Sequence, residues 1–414
     1  MEILLASLLL IMSHMNTTQS DLSIEQLVEA SKQVRYAAEM TQPAKENPIN
    51  EEQVNVEQVA IEPADEQSVK DRVLSKNSKL KTPIVKGVYS TAHTANGPRL
   101  EKLLKLMDET SLNAIVIDVK DDWGNITWRT TNPQLESMGT SKKIIADLPK
   151  LMKTLEEHDV YPIARIVVFK DTILANKRPE YSFLTADGKI LNNRKAKPES
   201  FVNPYMKEVW DYNIEVAKEA AKAGFREIQF DYVRFPEGFE KIADSVRYTR
   251  NADTRIDVVA GFVEEAKKQL RPYGVKVSVD IFGYAASVPA AEGIGQDFEK
   301  ISRHVDVICP MIYPSHYSTG WYGSVVPDAA PYTTINGAIV DTHEKLETLR
   351  LEGLKPIIRP WIQDFTASWI KGYIKYNKNE IEEQIKALRN NGVEEFLLWN
   401  SGNTYTPLVN YDVQ

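Results

Sequence analysis

Cysteine is nearly missing from this chain: Cys309, inside the apolar run DVICPMIYP, is the one example in 414 residues. A disulfide framework and a cysteine-rich zinc site are thereby excluded. The lone thiol reads as a small buried apolar side chain. Excess positive charge is missing too. Lys and Arg number 50 against 58 Asp and Glu, for a net charge of −8 and a pI near 5.5. That balance argues against nucleic acid or an anionic membrane surface as main partner. Phosphate-cradling and metalloprotease signatures are absent. STAHTANGP, not G-x-G-x-x-G, follows the first β-type run, and neither a P-loop nor H-E-x-x-H occurs. No repeat appears at solenoid periods. No metal or cofactor is expected, and nothing fixes the oligomeric state.

Long apolar runs are scarce. Residues 3–12 (ILLASLLLIM) make a ten-residue run, too short to span a bilayer comfortably but suited to a signal-peptide core. Lys and Arg are missing before it and a clean A-x-A site after it. Residues 1–20 are read as a signal-like segment, which implies an extracellular or envelope-associated protein with no integral membrane domain. Residues 21–80 are read as a short helix (23–40) and a disordered acidic linker. The stretch 41–80 is rich in Glu, Gln, Asn, Lys and Pro, and cannot bury enough apolar surface to offset its ordering entropy.

From residue 83 to 414 the pattern is regular. Apolar β-type runs at 85–90, 114–120, 161–169, 227–233, 276–283, 306–313, 356–363 and 395–400 alternate with helical periodicity at 97–110, 144–158, 204–222, 254–270, 297–303, 337–351 and 379–390. Eight strands separated by helices predict an α/β fold, a (β/α)8 TIM barrel with a shortened or missing last helix. An open doubly wound sheet is the alternative, but it usually carries the missing Gly-rich loop. Connections after strands two, three and six are long. Those before strands are short, which predicts a walled groove at the C-terminal face.

The stretch EIQFDYVRFP, residues 227–236, concentrates the chemistry. Asp231 stands in an apolar strand, where a carboxylate is costly unless paired or used. Near the C-terminal end of a barrel strand it reads as catalytic, the alternative being a structural Asp that caps the next loop. Side chains alternate across a strand, so Asp118 and Lys120 share a face, as do Arg359 and Trp361. Many of the strands turn polar toward their ends. This predicts a pocket of Asp118, Lys120, Arg165, Asp231, Asp280, Arg359, Trp361 and Trp399. Aromatic plates, cations and a carboxylate pair suit sugar chemistry, with Asp231 and Asp280 as acid and nucleophile or base. Asp280 could instead orient Arg234 or Lys120. Arg234 has the wrong parity, so the strand must break at Val233 for it to turn inward. Tyr313, Trp321 and Tyr322 read as a stacking wall or as loop packing.

The ordered motifs KGVYSTAHTANGPRLEKLLKLMDETSLNAIVIDVKDDWGNITW, EIQFDYVRFPEG, VSVDIFGY, ICPMIYPSHY and RPWIQDF resemble the putative glycoside hydrolase domain family, a bacterial, mostly extracytoplasmic group. The resemblance covers about residues 83–402. It implies a TIM-barrel, hydrolase-like fold with Asp231 where related families carry a catalytic acid, and names no substrate. Chitinase-type barrels end this strand with an acidic residue before Tyr-Pro. Arg234 stands there before Phe-Pro, which puts substrate-assisted chemistry in doubt. The expected function is a glycosidase acting on a polysaccharide or cell-envelope glycan. The alternative is a non-catalytic carbohydrate-binding protein of the envelope.

Overall fold

The computed structural model describes residues 66–79, 81–192 and 198–413. The signal-like segment and the helix expected at 23–40 lie outside them. Eight parallel strands form the barrel: β1 (Lys86–Ser90), β2 (Ala114–Lys120), β3 (Tyr161–Val167), β4 (Glu227–Asp231), β5 (Lys276–Phe282), β6 (Val307–Met311), β7 (Trp361–Gln363) and β8 (Phe396–Trp399). Each pairs with its neighbours in chain order. β1 pairs with both β2 and β8, which closes the cylinder. The seventh strand is split, because Pro360 interrupts it after Ile357–Ile358.

Helices α2 (Arg99–Asp108), α3 (Leu148–Glu157), α4 (Lys207–Ala223), α5 (Arg255–Leu270), α6 (Phe298–Ser302), α7 (Pro331–Leu351) and α8 (Lys378–Asn390) lie between successive strands. Local chemistry sets their ends. Thr254 with Asp257, and Asn377 with Glu380, form capping boxes at α5 and α8. Gly224 closes α4 in the left-handed region at φ 113°. Helix α7 begins before the expected residue 337, since Gly337 lies within it instead of starting it. A Cβ at Gly337 would lie 2.2 Å from Tyr322 Cδ1, so the glycine lets a loop ring rest on the helix.

Strand alternation produces two cores. Ile228, Phe230, Val277, Val279 and Ile308 face outward and pack with the helices. Val85, Tyr89, Val116, Ile163, Cys309, Tyr313, Trp361 and Leu397 fill the barrel interior. No helix follows β8 among the described residues. Turns take its place: Tyr405 Oη donates to Tyr89 O at 2.5 Å, and the Tyr411 ring packs 6.4 Å from that of Phe396. Residues 66–79, which composition assigned to a disordered linker, form helix α1 (Glu66–Lys79). Its Asn77 Nδ2 donates to Tyr273 O at 3.1 Å, and Lys70 Nζ lies 5.8 Å from the Tyr273 ring centroid.

Candidate active site

Asp118, Arg165, Asp231 and Asp280 converge inside the barrel at the C-terminal ends of β2 to β5. The register explains why. Asp118 is level with Arg165, and Phe230 with Val279, so Asp231 and Asp280 are lateral neighbours on adjacent strands, spaced about 4.8 Å. Arg165 holds the cluster together. Its Nε and Nη2 donate to Asp231 Oδ2 at 2.9 and 2.6 Å, and Nη1 to Asp118 Oδ1 at 2.6 Å. A weaker contact reaches Asp122 Oδ2 at 3.3 Å. A second wall stands behind it. Tyr89 Oη donates to Asp118 Oδ2 at 2.5 Å, and the Tyr89 ring stacks on Trp399 at 4.2 Å between centroids. Trp399 in turn meets Trp361 edge-on.

The carboxylates differ sharply in environment. Burial raises Asp118 to about 6, against the pull of Arg165. Asp280 is raised well above the ordinary range, first by burial and then by the charge of Asp231. Trp361 Nε1 donates to Asp280 Oδ1 at 2.7 Å and opposes this in part. Asp122, at the mouth, is lowered: Arg165 and Lys170 together outweigh its burial. Burial and the two acids raise the Tyr313 phenol, so it stays protonated as a donor near them.

Other expected residues lie elsewhere. Lys120 is fully buried in the helix layer, paired with Asp171 at 2.7 Å and lying 5.5 Å from the Tyr212 ring centroid. A register irregularity between Asp118 and Lys120 breaks the alternation that would have put both on one face. Gly124 backs this pair, since a Cβ there would meet the Asp171 carboxylate at 1.9 Å. Arg359 is fully buried lower in the barrel, between Glu227 at 2.6 Å and Glu395 at 2.7 Å; it is an internal ion pair, remote from the mouth. Strand β4 ends at Asp231, earlier than the expected break, because Tyr232 turns left-handed at φ 51°. The parity is thereby reset and Arg234 comes to the rim. It stacks on Phe282 and Tyr232 at 4.8 and 5.0 Å and pairs with Glu237, not with either acid. Tyr322 bonds Asp341 and Ser287 and so pins its loop to α7. Trp361 is buried, with its indole N–H committed to Asp280, so it positions that acid more than it offers a stacking face.

Tyr89, Asp122 and Lys170 were not singled out in the sequence. Asp122 and Lys170 follow β2 and β3 by two and three residues, and a charged residue at that offset was the available signal. Lys170 bridges Asp122 and Glu199, each at 3.3 Å. A cavity of about 720 Å³ opens elsewhere, beside the N-terminal ends of β3 and β4, lined by Asn77, Trp128, Met152, Pro162 and Arg226. It contains none of the cluster.

Residues 87–405 match the model of the family described as "putative glycosyl hydrolase domain". The chain belongs to that family. A comparison with curated proteins finds no match. Among solved structures, a hypothetical protein from Ruminiclostridium thermocellum is 32% identical, covering 47% of this chain and 96% of its own, with a TM-score of 0.42. The PgaB (BpsB) glycoside hydrolase domain from Bordetella bronchiseptica is 13% identical over 78% of this chain and 95% of its own, with a TM-score of 0.54. The spore cortex-lytic enzyme SleL from Bacillus cereus is 11% identical, covering 83% of each chain, with a TM-score of 0.44. The likeness to the PgaB domain is one of fold. The glycosyl hydrolase domain of this chain thus has a (β/α)8 barrel with four charged side chains meeting at its C-terminal face. Among the described residues, no helix is long and apolar enough to cross a membrane.

Proposed function

We propose that this domain hydrolyses glycosidic bonds of a polysaccharide, with Asp231 and Asp280 as the working pair. One observation carries the reading: two lateral carboxyl groups have different surroundings, one held by a guanidinium and the other buried beside it. Asp231 receives two guanidinium N–H groups on Oδ2 and the Tyr232 N–H on Oδ1. Asp280 is buried beside that charge and retains its proton to higher pH. Glycoside hydrolysis needs one acid to protonate the departing oxygen and one carboxylate to attack the anomeric carbon or activate water. Asp280 supplies the proton and Asp231 the charge. Arg165 offsets the negative charge that remains on Asp280 once its proton has left. Asp118, raised to about 6, adds a titration that shapes the acidic side of the pH profile. The apolar run at residues 3–12 supports a substrate outside the cytoplasm, such as a cell-envelope glycan. The barrel from residue 83, with helix α1 packed on it, is the working domain.

The test is hydrolysis of a polysaccharide panel by wild type and Asp231→Asn side by side. On a substrate that the parent cleaves, the variant should lose about 10²- to 10⁴-fold in rate. Its melting temperature should hold, because Arg165 keeps Asp118 and Asp122. Full turnover by the variant overturns the assignment. Binding of a glycan by the parent without cleavage would instead make the domain a carbohydrate-binding protein.

A further inference from the structure

Aromatic side chains do not stop at the pocket floor. From Tyr313, in the interior cluster with Trp361, the Phe365 ring follows at 6.1 Å, and Trp369 stacks on Phe365 at 6.0 Å with 16° between planes. Trp369 is 59% exposed. The loop that carries it is tied down. Tyr376 N donates to Thr366 Oγ1 at 3.1 Å, Tyr376 Oη to Asp328 O at 3.0 Å, and Gln363 Nε2 to Phe365 O at 3.0 Å. The indole is thus held on a pinned loop, one face against Phe365 and the rest open to solvent. On the other side of the β6 connection, the loop after β5 repeats the device: Tyr284 is 37% exposed and stacks on Phe282 at 5.7 Å with 28° between planes.

We propose that Phe365 and Trp369 form a distal sugar-binding platform, so that the domain grips a glycan chain and not a single sugar or disaccharide. This rests on the glycosidase reading and names its substrate class. The flat face of an indole fits the C–H face of a pyranose, which is apolar while the ring edge is polar. Trp369, joined to the pocket floor through the edge-on contact of Phe365 with Tyr313, would hold a residue of the same chain away from the cleaved bond. The occupant is a carbohydrate polymer because the platform reaches the charged pocket through Tyr313 and a second ring stack, Phe282 with Tyr284, stands on the loop after β5.

The test is retention in native gels cast with soluble polysaccharides (xylan, glycol chitin, carboxymethyl-cellulose, an α-glucan) and co-sedimentation with insoluble peptidoglycan. Wild type, Asp231→Asn, Trp369→Ala and Trp369→Phe are compared. The polymer that retards wild type should also retard Asp231→Asn, which leaves the platform intact. Trp369→Ala should lose about tenfold in affinity at an unchanged melting temperature, and Trp369→Phe should recover most of it. Equal retention of Trp369→Ala and wild type overturns the platform. Hydrolysis of that polymer by wild type would then leave the glycosidase reading standing. Retention by none of the polymers also overturns it, and so does a concentration-dependent dimer that Trp369→Ala abolishes, because a second copy would then be the occupant.

Discussion

Replacing Arg165 by Met tests the electrostatic logic of the pocket most directly. Arg165 is 2% exposed and carries Asp118, Asp231 and the weaker contact to Asp122. Met preserves much of the side-chain volume and removes the cation, leaving a set of crowded carboxylates next to Asp280. Removing one partner of a buried ion pair costs about 3–5 kcal/mol. With an unfolding entropy of roughly 2.1 cal/mol/K per residue over a unit of about 350 residues, Asp65–Gln414, that is a fall of about 4–7 °C. The loss should depend on pH. Asp118 is raised to about 6 even with Arg165 present; without the lowering pull of that cation, Asp118 rises further above its unfolded value of about 3.9. The folded variant then binds protons where the unfolded chain has released them, so its stability falls as pH rises above about 4. Melting curves of parent and variant at pH 5 and pH 8 measure this. The gap between them should be several degrees at pH 8 and clearly smaller at pH 5. An equal gap at both pH values, or none at pH 8, would refute the reasoning.

Trp361→Phe removes the indole N–H that Asp280 Oδ1 accepts. That bond favours the charged form, so Asp280 should hold its proton to higher pH and the alkaline limb of the pH–rate profile should move up by about one to two units; an unmoved limb argues against Asp280 as the acid. Lys120→Met strands Asp171 in the helix layer and should cost about 3–5 kcal/mol in chemical denaturation, with turnover of the folded fraction unchanged. Lost turnover at unchanged stability would put Lys120 back in the pocket.

The barrel was legible because period-2 and helical runs alternate, and because a parallel sheet buried on both faces needs the β-branched and aromatic residues of runs such as AIVIDVK and EIQFD. The convergence of Asp118, Arg165, Asp231 and Asp280 was legible from the same alternation. What escaped was every departure from ideal strand geometry. The irregularity after Asp118 turns Lys120 outward, and nothing in IDVKDDWG marks it except the glycine. Tyr232 in the left-handed region resets the parity of Arg234, and a non-glycine residue gives no local signal for that. Arg359 shares a face with Trp361 as expected, but its depth in the barrel was hidden. Its partners Glu227, on β4, and Glu395, just before β8, are 132 and 36 residues away. Helix α1 escaped because composition reports what a segment can bury alone, not what it can bury against a neighbour such as Tyr273.

Among the described residues, turns and not a helix follow β8, and this cover has a mechanical consequence. The strands that carry Asp231 and Asp280 are backed by α4 and α5, of 17 and 16 residues. The Tyr89–Trp399 wall is carried by β1 and β8, where turns with Tyr405 and Tyr411 serve as cover. Irregular cover holds few hydrogen bonds of its own and opens at lower free energy than a helix. The seam of the cylinder therefore falls beneath the aromatic wall, and the acids stand on the stiff arc opposite. On the proposed glycosidase reading, such a wall shifts to admit differently shaped sugar rings while the spacing between the two carboxyl groups stays fixed. That reading assigns tolerance toward the guest and constancy of the reaction centre to different arcs of one closed sheet.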